Sequence, residues 1–261
     1  MRKYWVIMKN RARSGFAYRA NTVTMLISES FSFGVLFYIW FSVYKGGGQI
    51  GDYSLGFMIF YYALGKISGL LIEFYGVAWN LAEAISEGEF TNFLLKPVSI
   101  IKQELFIYFG NFIYNLAVFS VIILVMLFYI LKQFGYLKLL AFFLLSINAA
   151  LIFFFIFFLI GAMAFFFQRI QGLSFLMSLV SMFLAGKYVP LDVLPGAFYK
   201  IAGVLPFQYI SFIPIMVFKG ALDPAWIMRQ YLTGLIWILI LYVLTKIVLI
   251  KGIKKYEAIG I

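Results

Sequence analysis

Six stretches of apolar sequence, at 22–44, 57–78, 106–131, 139–167, 172–189 and 227–250, decide what this chain can become. A bilayer core takes about 20 mostly apolar residues per helical crossing, and the shortest of the six, 172–189, comes close to that length. With 64% of its residues apolar and 12% charged, the chain carries far more apolar surface than a water-soluble fold can hide. The sequence predicts an all-α integral membrane protein with six transmembrane helices, forming one domain over 1–261.

What is missing narrows the chemistry. There is no cysteine and no histidine, which excludes disulfides, thiolate or imidazole metal sites and histidine acid–base catalysis. Ten acidic residues with no D-D-x-x-D pattern speak against a membrane enzyme that holds metal and phosphate on clustered carboxylates. No catalytic and no metal residue is assigned. The net charge of +11 is expected on the cytoplasmic membrane face, where Lys and Arg gather, and not on nucleic acid. The basic start, Arg2 to Arg19, precedes an apolar stretch too long for a cleaved signal and without a small-residue exit.

Charge also sets orientation. With six spans and both termini cytoplasmic, thirteen basic residues lie inside and seven outside, Lys187 among the latter. Counting the apolar run 201–218 as a seventh crossing evens the balance to eleven against nine, and Pro206 and Pro214 within it break helical hydrogen bonding. The positive-inside rule therefore favours six spans, and the expected location is the cell inner (plasma) membrane.

Three segments between the spans stand out. In 1–21, Met1, Trp5, Met8, Ala12 and Phe16 recur on one helical face, with Arg2, Lys9 and Arg13 on others, as in an interfacial amphipathic helix. It is either a topology signal or a helix touching a soluble partner. In 83–97, acidic Glu83, Glu87 and Glu89 alternate with Ile85, Phe90, Phe93 and Leu94, and Pro97 marks a stop at Lys96. A short amphipathic cytoplasmic helix of this kind needs a protein groove or the headgroup layer to cover it. In 190–218, Pro190, Pro195, Pro206 and Pro214 forbid one straight membrane helix and suit short re-entrant helices dipping in from outside. They either gate a pathway or form an interfacial loop.

The stretches ISEGEFTNFLLKP and YVPLDVLPGAFYKIAGVLPFQYISFIPIMVFKG, with R-A-N before the first span, resemble those of type-2 ABC transporter permeases, in a group distantly similar to daunorubicin-type drug exporters. The likeness covers nearly the whole chain. It implies six spans, homo- or heterodimeric pairing with a second permease copy, and two separate nucleotide-binding ATPase subunits that hold ATP and Mg. It further implies that 1–21 is the interfacial connecting helix, that 83–97 is the coupling helix docking on the ATPase, and that 190–218 forms the outer re-entrant helices. No G-x-x-x-x-G-K-[ST] loop is present, since Gly65-Lys66 and Gly186-Lys187 run on into Ile and Tyr. The chain is thus expected to be no enzyme itself and to bind no cofactor, ATP chemistry coming from the partner.

Glu29, Lys66 and Glu73 fall inside predicted spans, where an unpaired charge costs a few kcal/mol. Lys66 and Glu73 share a helical face about 10 Å apart, so Lys66 is expected to be balanced by either carboxylate through rearrangement or water. They either line a pathway or pair locally. Gly65 and Gly69 make a small-xxx-small pair that lets helices approach. The leading function is export of a hydrophobic or amphiphilic substrate driven by the partner's ATP hydrolysis. The alternative is an ATP-independent secondary transporter or channel, whose inverted repeat is not visible.

Overall fold

The computed structural model describes residues 2–48, 51–94, 98–167 and 169–258, and the regular elements among them are all helical. In chain order these are α1 (Arg2–Ala17), α2 (Arg19–Lys45), α3 (Leu55–Ile72), α4 (Gly76–Ser86), α5 (Thr91–Leu94) and α6 (Ile100–Val118). There follow α7 (Ser120–Phe134), α8 (Tyr136–Ala162), α9 (Gln171–Leu184), α10 (Gly196–Val204), α11 (Phe212–Met216) and α12 (Pro224–Ala258). Ala20–Lys45, Leu55–Ser86, Tyr136–Phe165 and Pro224–Tyr256 are long and apolar enough to cross a membrane, and the α6–α7 pair is a fifth if taken as one span.

α8 is the axis of the bundle. Phe153, Phe154, Phe157 and Phe158 are fully buried on it, and α12, α4, α11 and the turn Pro206–Tyr209 pack around it. In lipid, helices associate through close packing and not through transfer of apolar surface out of water. The rings interlock accordingly: Tyr75 stands edge-on to Phe157 at 4.8 Å and 89°. Small residues set the closest approaches. A Cβ on Gly161 of α8 would lie 2.8 Å from the Ala78 carbonyl oxygen of α4. At the α8–α12 crossing, a Cβ on Gly234 would meet the Asn148 amide at 2.5 Å, and that amide donates to the Tyr231 carbonyl at 2.9 Å.

The elements depart from the expected spans in four places. The second span, 57–78, breaks at Glu73, whose backbone (φ −84°, ψ 83°) leaves the helix before α4 resumes. The third, 106–131, bends by 79° between Val118 and Ser120; no proline or glycine stands there, and Ser120 is the single sequence cue. The fifth, 172–189, is helical only to Leu184. Its 14 residues rise about 21 Å, short of a hydrocarbon core of about 30 Å. α12 overshoots its predicted stretch instead. Asp223 caps it, its Oδ1 accepting from Ala225 N at 3.0 Å and Trp226 N at 3.1 Å, with Pro224 in the first turn.

α1 lies along α6. Tyr4 stacks on Phe106 with centroids 5.3 Å apart, and a Cβ on Gly110 would meet the Met8 carbonyl oxygen at 2.6 Å. The buried side of α1 holds Tyr4 and Ala12, whereas Trp5 and Phe16 of the expected apolar face stay half-exposed. Met1 lies outside the described residues.

Candidate functional site

The three ionisable residues singled out in the sequence, Glu29, Lys66 and Glu73, are paired. Lys66 of α3 donates to Glu29 of α2 and to Ser32, each at 2.8 Å. Glu73 is not shared with Lys66: it accepts from Lys187 at 2.6 Å and from the Tyr75 hydroxyl at 3.0 Å. The two pairs face one cavity of about 550 Å³ between α2, α3, α6 and the chain just after α9, within the size range of ligand sites. Glu29, Lys66, Glu73 and Lys187 all line it, with Tyr62, Asn111 and Asn115. Two lysines set against two glutamates make its wall electrically balanced. Tyr62 is 4% exposed, its ring stacked on Trp40 with centroids 5.4 Å apart.

Lys187, which sequence reasoning counted among the outer charges and did not connect with Glu73, is the cation that pairs with it. It follows Gly186, whose φ of +70° admits glycine most readily and whose carbonyl accepts from the buried Tyr61 hydroxyl. That contact sets Lys187 beside α3, with Nζ 3.2 Å from where a Gly69 Cβ would stand. The usable signal was the charge on Glu73, which needed a cation near it.

The segment 83–97 is not one helix. α4 runs through Glu83 and Ile85 to Ser86, and a turn with Gly88 at φ +79° leads into the four-residue α5. Ile85 and Phe90 are buried, Phe90 completely, where sequence reasoning had them exposed for docking. Phe90 sits edge-on to Phe165 at 4.8 Å and to Tyr256 at 5.4 Å, and Tyr256 of α12 donates to the Gly88 carbonyl at 2.9 Å. The far end of α12 thus holds this turn in place. Glu83, Glu87 and Glu89 remain exposed and Phe93 is half-buried. Leu94 ends α5, and Lys96 and Pro97 lie outside the described residues.

The proline-rich segment is a chain of short helices. Pro190 precedes the turn Leu191–Val193, Pro195 precedes α10, Pro206 opens the turn Pro206–Tyr209, and Pro214 is within α11. Pro190, Pro206 and Pro214 are buried and Pro195 is exposed. At this end Asp192 accepts from Lys219 at 2.7 Å and from the Tyr53 hydroxyl at 2.7 and 2.6 Å, and the Lys219 ammonium lies over the Tyr53 ring at 4.0 Å. Burial, then the Asp192 carboxylate, push the Tyr53 phenol above its ordinary range, so it stays a proton donor to that carboxylate.

Residues 31–260 match the family model described as ABC-2 family transporter protein. The chain belongs to the ABC-2 transporter family. Comparison with curated proteins returns no match. As an ABC-2 permease it is a multi-pass membrane subunit of an ABC system, of a family whose members lack an ATPase of their own and partner one.

Proposed function

We propose that the chain is the permease of an ATP-driven exporter. Two copies, or one copy and a homologous permease, would form the transmembrane unit in a cell inner membrane, with both termini cytoplasmic. ATP and Mg would be held by two separate ATPase subunits. The cavity between α2 and α3 would receive the substrate, and the segment 190–218 would close it from outside. What carries this reading is the end of α4 and the turn after it: three exposed carboxylates, Glu83, Glu87 and Glu89, stand there, and the turn is braced by Phe90 and Tyr256. A rigid acidic knob on the same helix that begins beside Glu73 is suited to take a push from a basic groove and pass it to the cavity.

The test is co-purification of the tagged full-length chain with its ATPase. Glu83→Lys with Glu87→Lys is expected to weaken association at least about tenfold, because like charges set face to face cost several kcal/mol. Phe93→Asp is expected to act in the same direction. Phe90→Asp differs, placing a charge at a fully buried position, and should lower the yield of folded chain rather than release the partner. Unchanged co-purification of the double charge reversal would remove the docking assignment.

A further inference from the structure

The balanced cavity does not end at the Glu29–Lys66 bridge. On the other side of that bridge a second groove, of about 320 Å³, opens between α2, α3 and the α6–α7 bend, and Glu29, Lys66 and Leu70 line both spaces. Ser30 and Ala63, both short, line this groove with Phe33 and Ile122. It leads on, through the shared Ile67 and Met126, to an apolar pocket of about 380 Å³ under the bend, walled by residues such as Phe109, Leu127 and Phe142. Polar and apolar compartments therefore adjoin, with one ion pair at the junction.

We propose that these three spaces are one track for a single amphiphile with a zwitterionic headgroup, an anionic group and an amine close together, and a hydrocarbon chain. This deepens the export reading and rests on its assignment of the cavity. The headgroup lies in the 550 Å³ cavity. Lys66 and Lys187 face its anion, and Glu29 and Glu73 face its amine. Charge balance decides the class: the wall is neutral as a whole, so a zwitterionic headgroup keeps the site neutral, whereas a purely cationic or anionic one adds an uncompensated charge to a site that is 10–32% exposed at its ion-pair side chains. The hydrocarbon chain passes between α2 and α3 beside the short Ser30 and Ala63, along Phe33 and Ile67, and reaches the apolar pocket.

The experiment measures binding of four lipids with the same single acyl or alkyl chain to the purified full chain in a non-ionic detergent, by native mass spectrometry. They carry phosphoethanolamine, phosphoglycerol, trimethylammonium or maltoside headgroups. The phosphoethanolamine lipid is expected to bind about tenfold tighter than the other three. Replacing the bridge by Glu29→Gln with Lys66→Gln, which strands no charge, is expected to erase that preference while the chain still folds. Ile67→Trp is expected to weaken a sixteen-carbon chain but not an eight-carbon chain with the same headgroup. Equal binding of all four headgroups, which would mean annular lipid only, overturns the inference, as does a preference that survives the bridge replacement. Nucleotide-driven transport of another substrate without this selectivity would sink the inference alone. Selective binding with no coupling to any ATPase would sink the export reading alone.

Discussion

Replacing Glu73 with alanine is expected to lower the unfolding temperature of the purified chain by several degrees, and Lys187→Ala to do the same. The two groups meet at 2.6 Å with side-chain exposures of only 10% and 15%. Removing one leaves the other charged and largely desolvated, a loss of about 3 kcal/mol. Tyr75 would also lose the acceptor of its hydroxyl. Removing both should cost much less than the two single losses together, because the stranded charge disappears with its partner. A double-mutant cycle in one detergent reads this directly, with a coupling of about 1–3 kcal/mol expected. Lys66→Ala serves as the comparison. Its pair with Glu29 is 21% and 32% exposed, so water can screen what remains and the effect should be smaller. Equal unfolding temperatures for the parent, Glu73→Ala and Lys187→Ala would mean that the pair does not form.

The pairing also shows where sequence reasoning reached and where it stopped. Membrane residence and an all-helical fold were legible because they depend on composition and on runs of about 20 apolar residues, which no tertiary contact can override. Glu29, Lys66 and Glu73 could be singled out for the same reason, a charge in an apolar run being conspicuous. Their partners were not legible. Lys187 stands 114 positions from Glu73, and only the dip of the chain after α9 brings it to α3. The bend at Phe119 and the break at Glu73 carry no proline, so helical periodicity runs straight through both. Phe90 looked like an exposed docking residue because the turn at Gly88 and the overshoot of α12 to Tyr256 arise from contacts 168 positions apart. The four prolines of 190–218, by contrast, forbid a straight helix on local grounds alone.

The crossing of α8 and α4 is where the fold and the proposed coupling meet, and a single methyl group tests both. A Cβ on Gly161 would stand 2.8 Å from the Ala78 carbonyl oxygen and 3.1 Å from Leu81 Cβ. Neither is the loose end of a flexible side chain, so α4 as a whole has to move. Gly→Ala inside a helix otherwise gains about 1 kcal/mol of propensity, which sets a sign test. Gly34→Ala in the middle of α2, where nothing lies within 4 Å, should be neutral or mildly stabilising. Gly161→Ala should be destabilising despite the same propensity gain. Gly161→Val, with two further carbons to place, should exceed the usual overpacking loss of about 1–3 kcal/mol and remove the monodisperse peak in size-exclusion chromatography. Because α4 ends in Glu83 and Ser86, a shift at Ala78 is carried along one rigid helix to the acidic turn. Gly161→Ala that folds is therefore expected to retain its ATPase partner yet lose much of the permease-dependent stimulation of ATP hydrolysis. Full stimulation in a folded Gly161→Ala chain would show that α4 does not transmit the stroke.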